Sequence, residues 1–139
     1  MSFQQQTLTF NTHGRGTTNI TQEVNEIVNE SKFSVGLCHL FIQHTSASLI
    51  LCENADPDVR IDLDTFMQHI VPDGAPMFCH DAEGPDDMPA HIRTILTNVS
   101  LTIPFNHSRC QLGTWQGIYL WEHLTSSHSR NVIVTLQGE

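Results

Sequence analysis

Two histidines and four acidic residues fall within the segment CHDAEGPDDMPAHIRTIL, residues 79–96. Histidine nitrogens and carboxylate oxygens are common zinc ligands. The same side chains also act as general acids and bases near neutral pH. The segment therefore indicates a metal site with acid–base groups beside it. Its two prolines and one glycine indicate that part of it is irregular.

The chain is rich in histidine, since nine of its 139 residues are histidines and they are scattered rather than grouped as in a tag. A strand predicted over residues 35–46 alternates its side chains, which places His44 at the end of an apolar face. That face carries Cys38, Leu40 and Ile42. The residues TSAS that follow are small and hydroxylated. His44 is therefore a candidate ligand with room beside it for a bound molecule.

Helical spacing predicts a helix in DDMPAHIRTIL, residues 86–96, with Asp87 as a candidate N-cap. Its apolar side consists of Met88, Ile92, Ile95 and Leu96. His91 falls on this side, which we expect to face inward. His80 lies in the irregular acidic stretch before the helix, where the backbone is free to fold the imidazole over the helix start.

Three inward imidazoles from a strand end, a loop and a helix would form a zinc site with three protein ligands and an open position. That arrangement is typical of catalytic rather than structural zinc. The alternative is that His44, His80 and His91 are each an ordinary hydrogen-bonded histidine. Their spacing matches no short metal-binding motif, so the pattern leaves both interpretations open.

Glu122 is a further candidate because it shares a predicted strand face with Ile118 and Leu120. An ionised carboxylate on such a face needs a partner. Arg109, Arg130 or a metal-bound histidine would provide one.

Periodicity also predicts two further helices, one starting at Thr21 with Asn19 or Thr21 as its cap and one over residues 56–71. Strands are predicted over residues 3–10, in the two apolar runs of SVGLCHLFIQHTSASLILCEN, and as antiparallel strands in the carboxyl-terminal third. No linker or repeat is present, so we expect a single domain over residues 1–139.

The formal net charge of −9 repels nucleic acid and anionic membranes, so we expect neither as a partner. Trp115, Tyr119 and Trp121 form a predicted stripe that is more typical of a core or a subunit contact than of a base-stacking surface.

No apolar run approaches the roughly 20 residues of a membrane span, and no export signal is visible, so we expect a cytoplasmic protein. The four cysteines form no C-x-x-C pair, and we expect them to be reduced.

Three long motifs, HTSASLILCENADPDVR, HDAEGPDDMPAHI and LGTWQGIYLWEH, closely resemble in order and spacing the YjbQ family, some of whose members are named secondary thiamine-phosphate synthases. The resemblance covers nearly the whole chain and ends in the strand VIVTLQGE. It implies an α+β fold, mainly an antiparallel β-sandwich with two to three short helices. It also implies a homotrimer with a histidine-lined metal or anion site near the subunit boundary.

Carried over by motif, the resemblance implies that His44, His80 and His91 are the metal ligands, with Asp87 and Glu122 nearby as catalytic groups. The expected cofactor is a divalent metal, zinc first, with Mg²⁺ as the alternative for a phosphorylated substrate. Two departures alter the rim of the implied site, because Cys52 replaces a polar residue and Ser108 and Cys110 flank Arg109 in place of glycine and leucine.

Three functions remain open. Thiamine-phosphate formation expels pyrophosphate, so a site for it needs a metal or several cations, and Arg109 and Arg130 are the candidates for binding substrate phosphates. A zinc-dependent hydrolase with Asp87 or Glu122 as general base fits the residues equally well. The third is a non-catalytic trimeric protein that binds a metal or a small anion.

Overall fold

A computed structural model describes residues 1–139 of the chain. Its helices are α1 Thr21–Glu30, α2 Pro57–Ile70 and α3 Asp87–Leu96. Its strands are β1 Ser2–Asn11, β2 Gly16–Asn19, β3 Val35–Ile42, β4 Ala47–Glu53, β5 Ser100–Asn106, β6 Arg109–Cys110, β7 Gln116–Glu122 and β8 Ser129–Gly138. None of the helices combines the length and the hydropathy needed to cross a membrane.

The strands form two sheets, one with the order β1-β8-β3-β5-β6 and one with the order β2-β7-β4. Every pairing is antiparallel. Side chains from both sheets meet in one hydrophobic core, as two layers of a sandwich do. The predicted fold class, α+β and mainly antiparallel, is confirmed.

The core follows from the alternation of side chains along the strands. In β8, Val132, Val134 and Leu136 are buried, whereas the residues between them are partly exposed. Helix α1 covers the core with three buried residues, Val24, Ile27 and Val28, and it begins at Thr21 as predicted. The carboxamide of Asn19 accepts hydrogen bonds from the backbone N–H and the hydroxyl of Thr21, at 3.0 and 2.7 Å.

The apolar residues of helix α2 do not all face the core of this protomer. Only Met67 is buried, whereas Phe66 and Ile70 are 59% and 46% exposed. The helix covers the outer side of β7, where Asp64 accepts a hydrogen bond of 2.9 Å from the indole N–H of Trp121. Polar and charged groups therefore make part of the contact between α2 and the sheet.

Helix α3 lies within the segment predicted to be helical, but its predicted inner face is wrong. Ile95 and Leu96 are 80% and 56% exposed. The buried residues are Asp87, Pro89, Ala90, Arg93 and Thr94. Small and polar groups thus face the protomer, while Ile95 and Leu96 face outward.

The three aromatic residues of the predicted stripe do not lie together on strand β7. Trp115 precedes the strand and is 62% exposed, whereas Tyr119 and Trp121 are buried. The strand is the middle one of its sheet and is covered on both faces, so its residues on both sides are buried. All four cysteines are free in the fold.

Candidate metal centre

His80, Asp87 and His91 form a compact cluster in which one carboxylate oxygen contacts two imidazoles. Asp87 Oδ2 lies 2.6 Å from His80 Nε2 and 3.1 Å from His91 Nε2. The two rings meet edge to face, with their centroids 5.4 Å apart. Three groups that ligate metals therefore converge on one point.

Local structure brings these groups together. Asp87 is the first residue of α3 and His91 lies one turn later, so both project from one face of the helix. His80 reaches them from the loop after α2. Gly84 turns that loop with a φ of +106°, a backbone conformation that favours glycine.

The predicted role of Asp87 as N-cap is wrong, because Asp86 occupies that position. The Asp86 side chain does not cap the helix either. Its carboxylate instead accepts hydrogen bonds from the backbone N–H and the hydroxyl of Thr125, at 2.9 and 2.8 Å. This contact ties the start of α3 to the loop after β7 and leaves Asp87 free to face the histidines.

The hydrogen bonds of the cluster favour the ionised form of the Asp87 carboxylate. The hydrogen bond to His80 lowers the pKa of Asp87, against the effect of its burial. The same hydrogen bond raises the pKa of His80. Glu83 adds a second carboxylate, with its Oε2 3.8 Å from His80 Nε2.

The donor set fits a zinc ion. The three ligand atoms lie within 4.8 Å of one another. Zinc bonds of about 2.0–2.1 Å in a tetrahedral arrangement place ligand atoms about 3.3 Å apart. His80 would therefore move away from Asp87 by several tenths of an ångström, which its exposed side chain permits. Two imidazoles fit zinc better than Mg²⁺, which prefers oxygen ligands.

The structure does not bring His44 to this cluster. The predicted strand over 35–46 ends at Ile42, so His44 lies in the connection to β4. Its Nε2 accepts a hydrogen bond of 2.8 Å from the backbone N–H of Asn131. Burial, followed by the charge of Arg130, lowers the pKa of His44.

Glu122 also lies outside the cluster, and its partner is Arg130. Glu122 is 1% exposed and accepts hydrogen bonds from Nε and Nη2 of Arg130, the first at 2.8 Å. The Thr12 hydroxyl and the backbone N–H groups of His123 and Leu124 also donate to it. Burial alone would raise the pKa of Glu122, but these donors lower it. A carboxylate satisfied in this way holds the fold together and is poorly placed to accept a substrate proton.

Arg109 lies in a third place. It lines an open polar groove of about 500 Å³ beside α1, with Asn25, Glu26 and His107 among its neighbours. Of the seven predicted site residues, the structure thus brings His80, Asp87 and His91 together, pairs Glu122 with Arg130 near His44, and leaves Arg109 apart.

Two further buried polar groups lie outside the seven predicted site residues. Arg93 is fully buried, and its Nε and Nη1 have no hydrogen-bond partner. His123 is also fully buried, with Nε2 2.7 Å from the Ser48 hydroxyl and Nδ1 without a partner. Burial, with Arg93 as the next cause, lowers the pKa of His123 to about 3. The helical spacing did not predict that Arg93 is buried, because the position of an arginine along a helix does not show which helix face is buried.

The fold and the cluster together define a class, a two-sheet α+β protein with a histidine–aspartate cluster at the start of a helix. The chain belongs to the YjbQ family, since the family model described as "UPF0047 protein YjbQ-like" matches residues 6–139.

Curated relatives support this membership over their full length. The UPF0047 protein YjbQ of Escherichia coli O157:H7 is 47% identical over 136 residues, which are 97% of this chain and 98% of the relative. The UPF0047 protein sll1880 of Synechocystis sp. is 47% identical over 135 residues, which are 97% of this chain and 92% of that protein.

Solved structures share the fold. A conserved hypothetical protein from Thermus thermophilus has a TM-score of 0.84 at 33% identity, covering 94% of this chain and 98% of its own. An uncharacterized YjbQ/UPF0047 protein from Clostridium acetobutylicum has a TM-score of 0.83 at 32% identity, covering 96% of this chain and 98% of its own.

Proposed function

We propose that the protein is a metal-dependent enzyme that acts on a small phosphorylated molecule, with a divalent ion, zinc, held by His80, Asp87 and His91. The observation that carries the proposal is the contact of both imidazoles with one carboxylate oxygen of Asp87. Three protein ligands leave a position for water or substrate. The side chains of His80 and His91 are 43% and 32% exposed, so a small molecule has access.

Different residues would hold the ion and accept the proton. Asp87 is buried and anionic, so it supplies a fixed negative charge to the ion. Glu83 is exposed, with its Oε2 3.8 Å from His80 Nε2, so it would be the available general base if His80 helped to hold the ion. A bound zinc ion would lower the pKa of that water and polarise a phosphoryl oxygen.

Hydrolysis is the reaction that these groups support best. Thiamine-phosphate synthesis, the activity implied by the names of some relatives in the resembled family, expels pyrophosphate and calls for several cations. Here Arg130 pairs with Glu122 away from the metal cluster, and Arg109 lies in a separate groove. Thiamine-phosphate synthase activity is therefore the second candidate, as a secondary activity of the same site.

We further propose a homotrimer in which outward apolar residues of the helices meet a neighbouring copy. Phe66 and Ile70 on α2, and Ile95 and Leu96 on α3, are all exposed in the protomer. Exposed apolar residues in one region mark interaction surfaces. The metal cluster shares α3 with two of them, so this arrangement places the cluster near a subunit boundary.

Metal analysis of the purified protein, combined with activity measurements on a panel of phosphorylated metabolites, tests the proposed function. We expect about one zinc per chain, turnover of at least one phosphorylated compound, and loss of that turnover on chelation with recovery on adding zinc. Bound zinc without turnover on any compound would identify a binding protein instead. Turnover that survives complete removal of the metal would contradict the proposal.

A further inference from the structure

A second concave site lies in the connection between β3 and β4, apart from the metal cluster. It is a cleft of about 440 Å³. Its exposed apolar side chains are Phe41 and Val99, since Ile42 also lines it but is buried. Its polar lining consists of Gln43, His44, Thr45, Ser46 and Arg130.

The backbone of this connection offers unused hydrogen-bond donors. The neighbouring amides are satisfied, since Ile42 N–H donates to the Val99 carbonyl at 2.9 Å and Gln43 N–H donates to the Asn131 carbonyl at 3.2 Å. In contrast, the backbone N–H groups of residues 44–46 donate to no acceptor within the chain. Three successive free amides at a concave surface favour an anion.

His44 adds a further hydrogen-bond donor, its Nδ1–H, because its Nε2 already accepts a hydrogen bond from the backbone. Its Nε2 is the acceptor for Asn131 N–H, so in the neutral imidazole the proton resides on Nδ1. Burial and Arg130 lower the pKa of His44, which keeps the ring neutral at pH 7. The side chain therefore has an N–H to offer and no free lone pair for a metal.

Arg130 supplies the positive charge. Its Nε and Nη2 are used by Glu122 and by the Ser46 carbonyl, whereas its Nη1 makes no hydrogen bond within the chain. Glu122 does not line the cleft. The cleft thus contains no carboxylate, and it presents several hydrogen-bond donors and one partly neutralised cation to a ligand.

We propose that this cleft binds the oxyanion group, phosphate or carboxylate, of a small molecule whose apolar part lies against Phe41 and Val99. The donors are the amides of residues 44–46, His44 Nδ1 and Arg130 Nη1. The site differs from the metal centre in both its residues and its chemistry, because it contains no free metal-ligating group. It therefore binds its ligand in metal-free protein.

Titration of chelated, metal-free protein with phenyl phosphate, benzoate and inorganic phosphate, followed by ¹H–¹⁵N NMR, tests this site. We expect saturable shifts of the amides of residues 44–46. Phenyl phosphate and benzoate separate the two oxyanion classes, and inorganic phosphate shows how much the apolar side chains contribute. His44→Ala should weaken binding about tenfold or more, as expected for a lost hydrogen bond to a charged group. The matched control His13→Ala, at an exposed histidine outside the cleft, should bind like wild type.

A second variant guards against an indirect effect of His44→Ala. Thr45 is exposed, so Thr45→Glu should preserve the fold while placing a carboxylate at the cleft and abolishing binding. Shifts that map only to the metal cluster, absence of saturable shifts with every probe, or unchanged binding in both cleft variants would overturn the proposal. Because the titrations use metal-free protein, failure of the metal centre would leave this result unaffected.

Discussion

Asp87 and His91 lie one turn apart on α3, with 3.1 Å between Oδ2 and Nε2. This relationship places a carboxylate and an imidazole on one helix face, and His80 reaches the same oxygen from the preceding loop. The helix thus fixes the positions of two of the three candidate ligands, Asp87 and His91. The third, His80, lies on a loop, and its side chain has room to move.

Zinc binding should depend on His91. We expect His91→Ala to lower zinc affinity by about 100-fold or more, because one of three protein ligands is lost, while the fold is kept. Isothermal titration calorimetry measures the affinity, with His69→Ala on the exposed side of α2 as the matched control. Equal affinity in wild type and His91→Ala would contradict the metal site.

The buried pair of Glu122 and Arg130 should be needed for stability. We expect Arg130→Met to lower the free energy of unfolding by about 3–5 kcal/mol, because Glu122 remains as a buried, unpaired charge. The additional change Glu122→Leu should recover part of the loss, since it removes that charge. Urea unfolding measures both, with the exposed Arg109→Met as control. A single variant as stable as wild type would show that the pair is not important for the fold.

Element positions could be predicted from the sequence, because helical and strand periodicity is local. The location of α3 and the spacing of Asp87 and His91 follow from that periodicity. The proximity of His80 to the helix start instead follows from the irregular stretch before the helix, which is free to fold back. The apolar face of α3 was wrongly assigned, since helical spacing alone does not distinguish exposed apolar residues such as Ile95 and Leu96 from core residues. The separation of His44 and Glu122 from the cluster depends on how strands pair, which no short motif encodes.

Stability should fall as the pH decreases below 6.5 because of His123. Its pKa is lowered from 6.5 to about 3 in the fold, so between these values the unfolded chain takes up a proton that the folded chain does not. The free energy of unfolding then decreases by up to about 1.4 kcal/mol per pH unit as the pH falls. His123→Gln should be less stable than wild type at pH 7, and the difference should shrink toward pH 5. Urea unfolding at several pH values checks this, and a difference that stays constant with pH would contradict it.

The outward face of α3 should hold the proposed trimer together. Ile95 is 80% exposed in the protomer, so Ile95→Glu removes no core contact and should leave the fold intact. If the residue is buried between copies, the introduced charge is desolvated without a partner and the trimer dissociates. Light scattering coupled to size-exclusion chromatography should give a trimer mass for wild type and a monomer mass for this variant. Thr7→Glu on exposed β1 is the control for an added surface charge and should remain trimeric. A monomer mass for wild type at micromolar concentration would contradict the trimer, and a trimer mass for Ile95→Glu would place the interface elsewhere.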